Sequence, residues 1–274
     1  MLLVVLPCHR EIFETSIKMS VKNLPEIILV PGAFGTPACF DKLLPFLREA
    51  GFATHPGPYP SYNHANPAEA TCVDDITHLR NNVILPLIED QQKDVVIIAH
   101  SYGCVPSSAA AKDLGKQARE AQGKKGSVVG LILIAGIITL DGETAVEAMG
   151  EMPPYVRIDG DTAFVKEAMD YLYHDCDPDM AFELDKHLGG HAAAALATKA
   201  TAPAWADSGF DGRRVYIRTL NDRCKSLEDQ NKWLKRTNVE WNVIDFETGH
   251  YPFHSQPKAV AARLVEAIND FVSL

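Results

Sequence analysis

Ser101 stands in Val95-Val96-Ile97-Ile98-Ala99-His100-Ser101-Tyr102-Gly103, where a run of branched apolar residues stops at polar ones. A serine hydroxyl is a poor nucleophile at neutral pH. It becomes effective when a histidine takes its proton and a carboxylate orients that histidine. His250 is singled out among the histidines by its setting, Phe246-Glu247-Thr248-Gly249-His250, a short loop after an apolar run, and His254 is its nearest rival. His100 adjoins the serine, but neighbours in a tight turn point apart, so it is a poor base. His174, His187 and His191 have no spacing that suggests a metal-ligand set. Two aspartates could supply the acid: Asp222, just past Arg214–Thr219, and Asp141, just past the apolar stretch that ends near Ile138. The chemistry this set could perform is acyl transfer through a covalent acyl-serine, with no metal or organic cofactor.

The elements that must hold these groups are legible as an alternation. Short apolar runs at 26–30, 52–55, 94–99, 128–135, 214–219 and 240–246 read as strands, most of them buried on both faces. Between them helical spacing appears at 41–50, from Asn66-Pro67-Ala68-Glu69 to about 90 with a disturbance at Pro86, at 101–122, 226–236 and 257–272. In the last, Val260, Leu264, Ile268 and Val272 share a face. The alternation predicts an α/β fold with a doubly wound, mostly parallel sheet covered by helices on both sides. Residues 141–205 break the rhythm and read as a helical insertion overhanging the carboxyl edge of the sheet, where open α/β sheets bind ligands. The expected division is an appendage at 1–24, a core of 25–140 and 206–274, and a cap of 141–205.

Ser101 then lies between a buried strand and a helix. Ala99 and Gly103, small residues two places to either side, let the strand and helix approach closely. That is the pattern of a nucleophile elbow, G-x-S-x-G, with Ala in the first place. A tetrahedral oxyanion needs two N–H donors: one is expected from Tyr102, the other from the loop after the first strand, Pro31-Gly32-Ala33-Phe34-Gly35.

Composition narrows the partners. The 274 residues are 46% hydrophobic and 23% charged, enough for an ordinary globular core. With 26 basic and 36 acidic side chains the formal charge is −10, which gives no electrostatic reason to bind nucleic acid or an anionic membrane. The cysteines at 8, 39, 72, 104, 176 and 224 form no C-x-x-C pair, so free thiols in a reducing, cytoplasmic setting are expected. Met1–Leu6 is too short for a membrane span and lacks the flanks of a signal peptide. The expected partner is a small-molecule ester, bound by a monomer or homodimer.

The stretches ILVPGAFG, VVIIAHSYGC, YIRTLNDRCKSLEDQ and FETGHYPFHSQP resemble the α/β-hydrolase superfamily over nearly all of residues 25–274. The resemblance is nearest to the branch of plant methyl-ester esterases and hydroxynitrile lyases. It implies Asp222 rather than Asp141 as the acid, because the spacing to Gln230 matches the family's acid loop, and Ala33 N–H as the second oxyanion donor. Pro31 replaces the histidine usual in the family's H-G-A. The lyases of this branch carry Thr in the place of Gly32 and Lys directly after the catalytic histidine, where this chain has Tyr251, so ester hydrolysis is expected over lyase chemistry. A lactonase, an acyl transferase or a small-ligand receptor that retains the triad are the other readings of the same scaffold. Gly32, Phe34, His100, Tyr173 and Tyr251 are the candidates for substrate contact. Met149, Met152, Phe164, Met169, Tyr171 and Tyr173 are expected to give the cap an apolar pocket for uncharged, small-to-medium esters.

Overall fold

The computed structural model describes residues 24–274, so the appendage expected at 1–24 lies almost wholly outside the described residues. Strands β1 (Glu26–Val30), β2 (Thr54–Pro56), β3 (Val95–His100), β4 (Val128–Ile134), β8 (Arg214–Thr219) and β9 (Asn242–Phe246) form one sheet. Their order is β2-β1-β3-β4-β8-β9, and every pairing is parallel. Alternate residues of these strands enter opposite apolar layers. Ile28, Val30, Ile97, Ala99, Leu131 and Leu133 face one, while Ile27, Leu29, Val96, Ile98, Ile132 and Ile134 face the other. That double burial explains why the strands read as continuous apolar runs rather than alternating ones.

The register aligns the carboxyl ends. Val30 pairs with Ala99, His100 with Ile134 and Thr219 with Phe246, so the loops after β1, β3, β8 and β9 emerge on one edge. From β1 the chain winds outward to β2, and from β3 it winds the other way to β4. The crevice where the winding reverses therefore opens between the ends of β1 and β3.

Helices cover both faces, with local departures from the sequence reading. The helix expected over 101–122 is a turn at Ser101–Gly103, a helix Cys104–Ala110 and a separate Lys116–Glu120, interrupted where Asp113 takes a left-handed backbone. Beyond Cys72–His78 the helical path widens to five-residue turns over Leu79–Ile84 and Pro86–Asp90. The ring of Pro86 and its missing N–H rule out a regular α turn there. In Pro257–Ser273, Phe271 rather than Val272 completes the buried stripe begun by Val260, Leu264 and Ile268.

The segment between β4 and β8 departs most. It holds short helices, but also an antiparallel sheet of β5 (Val156–Asp159), β6 (Thr162–Val165) and β7 (His191–Ala192), so it is not simply helical. The signal was present: Val156-Arg157-Ile158-Asp159 and Thr162-Ala163-Phe164-Val165 flank Gly160, whose φ of +57° turns the hairpin.

Candidate active site

The turn at Ser101 is built by close approach. Ser101 has φ of +52°, a left-handed conformation that a non-glycine residue adopts only when its surroundings impose it. A Cβ on Gly103 would lie 2.1 Å from the Pro31 carbonyl oxygen, so the position after Tyr102 can hold nothing larger. A Cβ on Gly32 would lie 3.0 Å from the Ser101 Cβ, which presses the β1 loop against the serine. β3 thus ends in a sharp turn that lifts Ser101 into the crevice.

His250 arrives from the loop after β9. Its Nε2 lies 3.0 Å from the Ser101 Oγ and its Nδ1 lies 2.7 Å from Asp222 Oδ2. With the Nδ1–H donated to the carboxylate, Nε2 is the free base that accepts the serine hydroxyl. Asp222 is itself held: Oδ2 also accepts from the Thr219 hydroxyl at 2.7 Å, and Oδ1 accepts from the N–H of Cys224 at 2.7 Å and of Lys225 at 2.9 Å. Burial alone would raise this carboxyl, but the adjoining imidazole and these donors hold it below the usual aspartate range. Gln230 explains the spacing that the sequence displayed. Its buried amide spans the acid loop, donating to the carbonyls of Thr219 at 3.0 Å and Lys225 at 2.7 Å and accepting from the Thr219 N–H at 3.1 Å. Asp141, by contrast, is exposed in a turn.

Ala33 and Tyr102 line the same cavity as Ser101. The Tyr59 hydroxyl donates to the Gly32 carbonyl at 2.6 Å. That carbonyl and the Ala33 N–H belong to one trans peptide and point opposite ways, so Tyr59 fixes the direction of the N–H. The Tyr102 side chain is anchored through its hydroxyl to Asp75 Oδ2 at 2.7 Å, where Asp75 also accepts from the Ser61 hydroxyl at 2.6 Å and its N–H at 3.0 Å. Neither Tyr59 nor Asp75 stood out in the sequence, since their partners are remote in the chain.

The expected substrate contacts divide. Phe34 and Tyr251 line the cavity over Ser101. Gly32 lies behind the serine rather than on the cavity wall. His100 is wholly buried, donates from Nε2 to the His250 carbonyl at 2.8 Å, and is kept neutral by burial. It therefore seats the His250 loop and touches no substrate space. Tyr173 packs at a tilt against Tyr251 and lines a separate cavity, together with His254, whose two nitrogens have no partner among the described residues. Of the six apolar residues expected over the site, Met149 and Met152 reach it. Tyr171 lines an outer cleft, Phe164 is carried to another surface by its hairpin, and Met169 is exposed.

Over Ser101 the cavity is narrow, at about 30 Å³. Its roof comes from the segment between β4 and β8 and includes Met149, Met152, Pro153, Tyr155, Leu172 and Leu196. Lys225 also enters it, a residue the sequence reading passed over as part of the acid loop. Among the described residues one trio with metal-ligand spacing exists, Asp222, Cys224 and His250. Its donors are already engaged, the first and last with each other and the Cys224 thiol with the Tyr171 carbonyl at 3.2 Å. Among the described residues no helix is long and apolar enough to cross a membrane.

A family model described as the alpha/beta hydrolase family matches residues 27–263. The chain belongs to the α/β-hydrolase family. It is 24% identical to the alpha/beta hydrolase nvfD of Aspergillus novofumigatus, over 91% of this chain and 99% of that one. Among solved structures it is similar to a pyrethroid hydrolase, at TM-score 0.70 and 18% identity over 89% of this chain and 98% of the other. It is also similar to a methylesterase from Arabidopsis, at TM-score 0.66 and 18% identity, over 90% and 99%. These likenesses bear out the expected fold.

Proposed function

We propose that the protein is a serine hydrolase that cleaves small carboxylic esters. The observation that carries this reading is the unbroken relay from Asp222 through His250 to Ser101, at 2.7 and 3.0 Å, opening into a small, mostly apolar cavity. Ser101 Oγ attacks the ester carbonyl as His250 Nε2 takes its proton. Asp222 stabilises the imidazolium, and the Ala33 and Tyr102 N–H groups receive the oxyanion. His250 then protonates the departing alcohol, and water, deprotonated by the same imidazole, releases the acid. Residues 141–205 act as the cap on a core of 25–140 and 206–274. Cys39, Cys72, Cys104, Cys176 and Cys224 are free thiols, which fits a reducing, cytoplasmic setting.

Lyase chemistry is the second reading, and one observation favours it. The cavity does hold a lysine, brought by the loop after β8 instead of the position after His250. Gly32 still stands where the lyases carry a threonine. The test is labelling by a fluorophosphonate, followed by turnover of methyl and aryl esters with mandelonitrile as a lyase substrate. Ser101→Ala is expected to lose the label and nearly all turnover, leaving the roughly 10³–10⁴ over water that binding and the oxyanion donors supply. Ester turnover within tenfold of wild type in Ser101→Ala would overturn the mechanism. Efficient cyanide release without ester hydrolysis would transfer the site to the second reading.

A further inference from the structure

Lys225 is 5% exposed and enters the cavity that contains Ser101 and His250. An ammonium has three donors and no acceptor. Here Nζ meets the Tyr155 hydroxyl at 3.1 Å and the Met149 thioether at 2.9 Å, and sulfur is a weak acceptor. No carboxylate of the described residues forms an ion pair with it. Asp222 is near, but its oxygens are occupied by His250, Thr219 and two backbone N–H groups. Burying a charge without a partner is costly, and a ligand carboxylate would supply the partner that Lys225 lacks.

Position adds a second argument. Met149, Pro153, Tyr155 and Lys225 line both the inner cavity of about 30 Å³ and an outer cleft of about 210 Å³, and so form the wall between them. A substrate that reaches from the cleft to Ser101 passes the ammonium. Apart from Ser101, His250 and the tyrosines the inner wall is apolar, with Ile137, Val156, Leu172 and Leu196 in it, so Lys225 is the one lysine or arginine there among the described residues.

Resting on the esterase reading above, we propose that Lys225 is a specificity-determining residue: the substrate is an ester that also carries a carboxylate, which pairs with the Lys225 ammonium beside the nucleophile. Burial draws the pKa of Lys225 down from its ordinary value, and an arriving carboxylate would reverse that shift. The inference replaces the uncharged substrate expected from the apolar roof.

The test compares esters that differ in one charge. Methyl hydrogen succinate is set against methyl butyrate, with the charge on the acyl side, and acetoxyacetate against propyl acetate, with the charge on the alcohol side. Wild type is expected to prefer the charged member of at least one pair in kcat/KM. In Lys225→Met that preference should fall by about 10- to 100-fold, the range of a lost charge-assisted hydrogen bond. The variant should also melt at or above the wild-type temperature, because an unpaired buried ammonium is gone. No charge preference in wild type, or one that survives Lys225→Met, overturns the proposal. So does a variant that melts lower and loses both members of each pair alike, the mark of a lysine that only props Tyr155 and Met149. Should Lys225→Met fail to fold, competitive inhibition of wild type by succinate against succinamide decides: tighter succinate binding supports the proposal and equal binding overturns it. Fluorophosphonate labelling separates the two readings, since a labelled serine without charge preference defeats the lysine role and leaves the hydrolase standing.

Discussion

At Asp222 the local structure commits a carboxylate to one task. Four donors surround its two oxygens, and one of them is the imidazole that faces Ser101. Asp222→Asn keeps the size of the side chain but offers an amide where His250 Nδ1 donates. The imidazole then favours the tautomer that carries a proton on Nε2, which cannot accept from serine. Turnover of a short ester should fall by about 10⁴, the scale known for this substitution in a serine protease. Asp141→Asn, at an exposed turn, should stay within a few-fold of wild type. The comparison is kcat for both purified variants, and the reverse order would move the acid to the loop after β4. Sequence alone singled out Ser101 and His250 because each follows an apolar run that is unmistakably a strand. Choosing between the aspartates took the spacing to Gln230, and only the structure shows why that spacing matters: the Gln230 amide staples both ends of the loop. His100 misled for the opposite reason, since its closeness in sequence to Ser101 says nothing about the direction of its ring.

Between elements, the site depends on contacts that join distant stretches. The Tyr59 hydroxyl bridges to Gly32 and sets the Ala33 peptide against the serine turn. Tyr59→Phe should leave that carbonyl without its donor and loosen the loop that carries the proposed oxyanion donor Ala33. The expected loss in kcat is about tenfold with KM little changed, below the 10²–10³ of removing a donor outright. An effect confined to KM would show that Tyr59 shapes binding instead. Asp75, which anchors Tyr102, provides a pH prediction. Burial pushes its carboxyl up to about 6 from an ordinary value near 4. A raised folded-state pKa means that the folded protein favours the protonated form. The contribution to stability is therefore full below about pH 4 and is lost as the pH rises through about 6. Melting temperature followed from pH 4 to 7 should decline on this account, and Asp75→Asn should flatten the decline. An unchanged slope in Asp75→Asn would assign it to other groups. None of this network was legible beforehand, because Tyr59, Ser61, Asp75 and Tyr102 sit in four different surroundings and meet only when the sheet forms.

For the molecule as a whole, the sheet was readable from its doubly buried runs, while the segment that roofs the site was not. Its Met and aromatic residues carry no period that says which way they face, and the Gly160 hairpin, though its two strands are signalled, lies among them. The result is a roof with Met149 and Met152 over Ser101, while Phe164 and Met169 look elsewhere. At about 30 Å³ the space beneath is narrow, and a larger acyl group must displace part of this roof. Unbranched, polarizable methionines yield more readily than the packed sheet below. Displacement has a limit, however, because Leu172, Leu196 and Tyr251 also line the cavity and are themselves buried. Acyl groups of two to four carbons should therefore be turned over best. Each further methylene must find room by moving more of the roof, and discrimination of about tenfold or more per poorly accommodated group is within reach of an apolar pocket. Measured as kcat/KM across p-nitrophenyl esters from acetate to laurate, the series should peak early and fall at least about tenfold by laurate. A rise toward laurate would mean that the roof lifts as a unit and that a long groove, continuous with the outer cleft beyond Lys225, receives the chain.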